Sequence, residues 1–251
     1  MEIDKRHKYL IVVDTETCNG IPTENGGVDL TQSLCYDVGW QVADNKGRIY
    51  EKRSFVIAEI FCDLKDVMQS AYYANKIPQY WEDIKNGKRT LTSFYNIRKQ
   101  FMEDVKNYDV FAISAHNASF DYRALNNTQR YITKSKYRFF FPYGVEIQDT
   151  LKMARQTIGQ MPSYIKWCFD NGYVTKHKNP RPRLTAEILW RWLSGDDGFE
   201  ESHTGLEDVE IETQIYSYCI KKNPNIERGL FKKTPKENEW LEHYSEEWEL
   251  V

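Results

Sequence analysis

The sequence predicts an α/β fold in which five strands alternate with helices, and three observations indicate it. The near-continuous apolar run YLIVVD (9–14) is typical of a strand covered on both faces. The alternating segments YDVGWQVAD and RIYEKRSFVIA follow, joined through the turn sequence DNKG (44–47), so the first three strands are predicted to form a meander. Helical patterns then alternate with two further strands.

The later elements follow from apolar periodicity. They are, in chain order, a helix within 91–107, a strand at 109–117, a helix at 120–132, a strand at 144–150, and helices that include 185–193 and 206–220. Thr92 and Ser93 are candidate caps for the first of these helices, and Asp149 for the helix after the fifth strand. Loops are predicted at 176–183 and 194–203.

Length and composition favour one domain, residues 1–222, followed by a C-terminal tail, residues 223–251. In the tail, Trp240, Tyr244 and Trp248 recur every four residues, which predicts a docked helix. The 34 basic and 37 acidic residues give a net charge of −3, so any nucleic-acid contact must be local.

Five scattered cysteines, with no C-x-x-C pair, argue against a disulfide framework or a zinc site and favour reduced thiols in the cytoplasm. No apolar run has the length of a signal peptide core near the first residue or of a membrane span elsewhere. We therefore expect a cytoplasmic protein with no membrane partner.

Two carboxylates end the first strand. Asp14 and Glu16 are two residues apart and should project from the same face, where they repel each other unless a cation neutralises them. A divalent metal ion would do so. The pattern D-x-E is common, however, and recurs at Asp208-Val209-Glu210, so an isolated pair is more often a strand end whose acids cap a turn.

Two later segments favour the metal site over the turn cap. AHNASFD places Asn117, Phe120 and Asp121 directly after the fourth strand, and SHTGLEDVEIE places His203 and Asp208 at the start of the last long helix. Asp121 and Asp208 each lie on an apolar helical stripe, where an acid needs a partner. Strand ends of an α/β sheet converge on one side, so we expect these groups to meet Asp14 and Glu16.

The ordered motifs D-x-E, N-x-x-F-D and H-x-x-x-x-D resemble those of the DEDDh 3′-to-5′ exonucleases, the superfamily that includes the proofreading subunit of bacterial DNA polymerase III. The resemblance covers roughly Tyr9 to Lys221 and implies a ribonuclease H-like fold, a five-stranded mixed sheet flanked by helices. The segment between the second and third motifs is long for the family, and Gly205 takes the position of its usual small residue.

The resemblance implies a role for each matching residue. Asp14, Glu16 and Asp208 would bind one Mg²⁺ or Mn²⁺ ion, and Asp14 with Asp121 a second. His203 would be the general base. The residues implied to contact the terminal nucleotide are Thr15, through its backbone amide, Asn117 and Phe120. The implied activity is 3′-to-5′ cleavage of single-stranded or frayed nucleic acid, DNA favoured over RNA, with release of nucleoside 5′-monophosphates.

Several alternatives stay open at this point. The loop KHKNPRPR (176–183) would follow a phosphate backbone or simply be solvated, and the two interpretations carry equal weight. The acidic segment SGDDGFEESH (194–203) is predicted to face solvent. The whole chain could be a non-catalytic nucleic-acid-binding or assembly protein on an exonuclease fold. A proofreading role would need a polymerase or another replication partner in trans.

Overall fold

A computed structural model describes residues 3–4, 6–18, 32–69, 71 and 73–231. Its sheet has the strand order β4-β3-β2-β1-β5-β6. The strands are β1 (Tyr9–Cys18), β2 (Leu34–Asp44), β3 (Ile49–Ile57), β4 (Thr90–Thr92), β5 (Ala112–Ala115) and β6 (Glu146–Asp149). The α-helices are α1 (Ala58–Phe61), α2 (Lys65–Gln69), α3 (Ile77–Lys85), α4 (Phe94–Asn107), α5 (Ser119–Thr133), α6 (Thr150–Gln156), α7 (Pro162–Asp170), α8 (Ala186–Ser194) and α9 (Gly205–Lys222).

The predicted meander is confirmed, since β1, β2 and β3 pair antiparallel in succession. At the DNKG turn, the Gly47 amide donates to the Asp44 carbonyl at 2.9 Å, and Gly47 has a φ of 76°, which a residue without a Cβ adopts at little cost. Strand β5 then pairs parallel to β1, and β6 parallel to β5. The sheet is therefore mixed, with all five predicted strands in place.

A sixth strand, β4, corrects the predicted strand count. It pairs parallel to β3 at the edge of the sheet and has three residues, too few to show an alternating pattern in the sequence. The sequence had assigned part of it to the following helix. Ser93 follows this strand and caps α4 by accepting a hydrogen bond from the Asn96 amide at 3.3 Å, so of the two candidate caps Ser93 is confirmed, while Thr92 lies in β4.

The two faces of the sheet carry separate apolar cores. Along β1, Ile11 and Val13 pack into one core with α4 and α5, while Leu10 and Val12 pack into the other with α6 to α9. This alternation follows from the two-residue period of a strand. Among the helices of the described residues, none combines the length and apolarity needed to cross a bilayer.

The first residues after α9 run along the edge of β6. The Asp149 amide donates to the Arg228 carbonyl and the Leu230 amide to the Ile147 carbonyl, both at 2.8 Å. This segment covers the otherwise open edge of the sheet. The predicted docked helix with Trp240, Tyr244 and Trp248 lies outside the described residues.

Candidate active site

Asp14 and Glu16 lie on the face of β1 that carries Leu10 and Val12, since all four share the parity of the strand. Both acids line a cleft of about 1140 Å³. The prediction that they project from one face is therefore confirmed. The first turn of α9 closes this side of the cleft.

Two glycines let α9 approach the sheet. A Cβ on Gly205 would lie 2.7 Å from the Gly39 nitrogen, and a Cβ on Gly39 would lie 2.2 Å from the Leu206 nitrogen. The Gly205 amide also donates to Asp37 Oδ2 at 3.1 Å, which ties the helix to β2. The backbone contact of α9 with the sheet brings Asp208, in the first turn of the helix, to the cleft beside Asp14.

Hydrogen bonds within the protein position the Asp208 carboxylate. Its carboxylate accepts hydrogen bonds from the Ser202 hydroxyl at 3.1 Å and the Thr204 amide at 3.0 Å. One oxygen or nitrogen each from Glu16, His203 and Asp208 all lie within 4.8 Å of one another. The structure thus brings together members of the first and third sequence motifs in a spacing that one metal ion could bridge.

Asp121 lies beneath this cluster, with 2% of its surface exposed. It accepts a hydrogen bond at 2.9 Å from the hydroxyl of Thr15, which is itself buried, and neither side chain lines the cleft. The predicted contact of the Thr15 amide with a terminal nucleotide stays a prediction. The charge of Asp121 also raises the pKa of Asp14, although burial and the charge of Glu212 have larger effects. Asp121, from the second motif, therefore interacts electrostatically with the acids of the cluster.

Asn117 and Phe120 both line the cleft, and their predicted contact with a terminal nucleotide stays a prediction. Asn117 has a φ of 67°, in the left-handed region, and its amide donates to Asp149 Oδ1 at 3.1 Å. Asp149 also accepts from the Leu151 amide at 2.9 Å, which confirms it as the cap of α6. One carboxylate therefore fixes both the second motif and the start of α6.

Burial and mutual repulsion act on the acids in the same direction. Burial, then the charges of Glu212, Asp121, Glu16 and Asp208, raises the pKa of Asp14 well above its ordinary value. Burial, followed by the charges of Asp37 and Asp208, raises the pKa of Glu16 to about 9. Burial also raises the pKa of Asp121 to about 7 and that of Asp208 to about 6. Buried carboxylates that repel one another in this way suit a divalent cation, which would offset their charges.

His203 lies at the mouth of the cleft and is held by a turn that the sequence did not single out. Its ring stacks on Tyr73, with centroids 4.6 Å apart and planes 16° from parallel. Lys76 Nζ lies 5.0 Å above the Tyr73 ring and donates to the carbonyls of Ser202 and, at 3.5 Å, His203. Burial, and then the charge of Lys76, lowers the pKa of His203, so the imidazole is neutral near pH 7.

Two acids of the cleft were missed or misplaced by the sequence analysis. Glu201 was predicted to face solvent, but its side chain is only 15% exposed, it lines the cleft, and burial followed by the charge of Asp208 raises its pKa to about 8. Glu212 also lines the cleft. Its position one helical turn after Asp208 was the available signal, because residues four apart share a helix face.

Three arginines also line the cleft. The Thr175 amide donates to the Arg181 carbonyl at 2.8 Å and the Arg183 amide to the Tyr173 carbonyl at 2.9 Å, so the loop 176–183 is the tip of a short β-ribbon. Arg181 and Arg183 line the cleft together with Arg155. This placement favours the phosphate-binding interpretation of the loop over the solvated one.

Neither a family model nor a curated protein matches the chain by sequence. Solved structures do match. The nuclease domain of 3′hExo, a DEDDh family member determined with rAMP bound, aligns over 91% of this chain and 100% of its own, with a TM-score of 0.54 and 10% identity. The chain has the fold of the DEDDh exonucleases. The predicted ribonuclease H-like architecture is thereby confirmed.

Two further exonuclease structures also match. A full-length 3′-exonuclease aligns over 91% of this chain and 93% of its own, with a TM-score of 0.57 and 11% identity. Exonuclease I of E. coli, in complex with an oligonucleotide, aligns over 88% of this chain at a TM-score of 0.52 and 11% identity. This chain corresponds to 42% of that larger protein.

Proposed function

We propose that this protein is a metal-dependent 3′-to-5′ exonuclease that releases nucleoside 5′-monophosphates from single-stranded or frayed nucleic acid, with DNA favoured over RNA. The observation that carries the proposal is the cluster of Glu16, His203 and Asp208, with ligand atoms within 4.8 Å, beside Asp14 in one cleft. The DEDDh fold supports it, because it accounts for the order of the three motifs along the chain.

The donor set fits hard divalent cations. The cleft offers carboxylate oxygens, which Mg²⁺ and Mn²⁺ prefer, and their raised pKa values show that the protein itself supplies too little positive charge. Asp14, Glu16 and Asp208 would hold one ion, and Asp14 with Asp121 the other. Two such ions supply stabilisation of the negative charge that develops on the attacking and leaving oxygens of a phosphoryl transfer.

The protein's own groups would handle the proton and the substrate. His203, neutral near pH 7, would accept a proton from the water whose oxygen attacks the phosphorus atom. The bond from phosphorus to the 3′-oxygen of the preceding nucleotide breaks, and that oxygen leaves with a proton from solvent. Asn117 and Phe120 would border the last nucleotide, and Tyr73 keeps the imidazole oriented.

The arginines that line the cleft favour a substrate with a phosphate backbone. Arg155, Arg181 and Arg183 line the wall and would contact backbone phosphates. Single strands should be preferred, because the last base of a duplex must unpair before it enters a cleft.

The direct test uses matched 5′-labelled single strands of DNA and RNA, with Mg²⁺ or Mn²⁺ and with EDTA. We expect stepwise shortening from the 3′ end that EDTA stops, and faster digestion of DNA. Equal digestion of strands with blocked 3′ ends, or cutting of circular single strands, would contradict an exonuclease. Tight binding without cleavage under all these conditions would instead favour a non-catalytic nucleic-acid-binding protein.

A further inference from the structure

Glu212 occupies a position that none of the three motifs includes. It lies in the second turn of α9, four residues after Asp208, and lines the same cleft as Asp14. Only 3% of its surface is exposed. A carboxylate this deeply buried requires a compensating partner, since ionised carboxylates lose strong hydration on burial.

The partners of Glu212 do not compensate its charge. One oxygen, Oε2, accepts a hydrogen bond from the His116 amide at 3.2 Å. Across the described residues, no lysine, arginine or histidine forms an ion pair with Glu212, and no donor bonds its second oxygen. The groups that act on it electrostatically are the acids Asp121, Glu201 and Asp208.

Glu212 is therefore a buried carboxylate with acids around it and, among the described residues, no cationic partner. Its charge is also the largest electrostatic influence on Asp14, ahead of that of Asp121. A structural role does not account for this arrangement, because glutamine would satisfy the His116 amide equally well without the cost of a buried charge. A bound cation accounts for it.

We propose that Glu212 is a fifth carboxylate ligand of the metal centre, which this chain adds to the four acids of the motifs. The inference rests on the proposed function, since it assumes that the cleft binds divalent ions. Glu212 lines the same cleft as Asp14, and we therefore assign it to an ion that Asp14 also binds.

The test is a calorimetric titration of the whole protein with Mn²⁺ in the absence of substrate. We expect Glu212→Gln to weaken the binding of one ion by about tenfold or more, or to remove it from the stoichiometry. The matched control is Glu210→Gln, on the same helix, whose side chain is 48% exposed and pairs with Lys52. The control should bind Mn²⁺ like the wild type.

Two outcomes would overturn the inference. Unchanged Mn²⁺ affinity and stoichiometry in Glu212→Gln would make Glu212 a buried acceptor for the His116 amide only. Absence of Mn²⁺ binding in the wild type would also overturn it. If Glu212→Gln fails to fold, Glu212→Asp, which keeps the charge but withdraws it by one methylene, must show the same weakening.

Nuclease activity separates this inference from the proposed function. If the wild type digests strands in a metal-dependent way but Glu212→Gln leaves Mn²⁺ binding unchanged, the inference is refuted and the exonuclease proposal stands. Mn²⁺ binding that depends on Glu212, in a protein that digests no strand, would refute the exonuclease and leave the metal ligand intact.

Discussion

We expect the Asp14 carboxylate to lower the stability of the metal-free protein. It lies among Glu16, Asp121, Asp208 and Glu212, and burial together with their charges raises its pKa. Such a group is retained for function, because folding alone would favour a neutral side chain at this position.

For Asp14→Asn and Asp208→Asn we therefore expect turnover to fall at least about a thousandfold, since several kcal/mol of charge stabilisation is lost with the metal ion. The melting temperature of metal-free Asp14→Asn should equal or exceed that of the wild type. Exposed Asp197→Asn is the control and should change neither quantity. Ordinary activity in either variant, or a large loss of stability in EDTA for Asp14→Asn, would make these acids structural.

A single substitution can also distinguish whether His203 acts as a general base or as a metal ligand. As a general base, its loss in His203→Ala should slow single-turnover cleavage by roughly a hundredfold or more and remove the rise of the rate with pH. Mn²⁺ affinity should be retained. Because a ring nitrogen lies within 4.8 Å of the Glu16 and Asp208 oxygens, loss of Mn²⁺ binding together with the rate would show that His203 is a ligand instead.

At the scale of elements, the turn at 73–76 contacts His203 through the Tyr73 ring and Lys76. We expect Tyr73→Leu to slow single-turnover cleavage by roughly two- to tenfold, since an aromatic pair contributes about 0.5–1.5 kcal/mol. Tyr73→Phe keeps the stacked ring and should retain the rate. In a His203→Ala background Tyr73→Leu should have no further effect, whereas additive losses would mean that the turn acts on stability and not on His203.

The elements differ in how well the sequence predicts them. Strands β1, β2, β3, β5 and β6 follow from apolar patterns of four or more residues, and helix α5 follows from its apolar stripe. Strand β4 and helices α1 to α3 were missed, because short elements at the edge of a fold carry too few buried positions to set a period.

The sequence predicts the site residues that belong to the three motifs. It does not predict the contacts that arise when distant segments pack together. Asp14, Glu16 and Asp208 meet as expected. The contact of α9 with the sheet depends on Gly39 and Gly205, which are distant in sequence, so no local pattern indicates it. The same holds for the stack of Tyr73 on His203, which exists only in the folded chain.

For the whole molecule, the buried acids couple stability to pH and to metal. Burial and neighbouring acids raise the pKa of Glu16 from 4.5 to about 9, so across that range the folded protein holds a proton that the unfolded chain has released. The stability of the metal-free protein should therefore fall as pH rises from about 4.5 to about 9. A divalent ion replaces the protons, so the stabilisation it gives should grow over the same window.

Melting temperatures in EDTA and in Mn²⁺, measured from pH 5 to pH 8, check this coupling. The EDTA curve should decline and the difference between the two curves should widen. An EDTA curve that rises with pH across the window would show that the acids are ionised and compensated within the protein. Asp14→Asn should flatten the decline, because it removes one of the repelling groups.

The proposed reaction requires that water attacks the phosphorus atom at this cleft and releases a nucleoside 5′-monophosphate. Digestion of a single strand with Mn²⁺ in ¹⁸O-labelled water, followed by mass spectrometry of the first product formed, checks this step. We predict a nucleoside 5′-monophosphate with one ¹⁸O atom on phosphorus, formed by the wild type and not by Asp14→Asn. A 3′-phosphorylated product, an unlabelled phosphate, or equal yield from Asp14→Asn would contradict the mechanism.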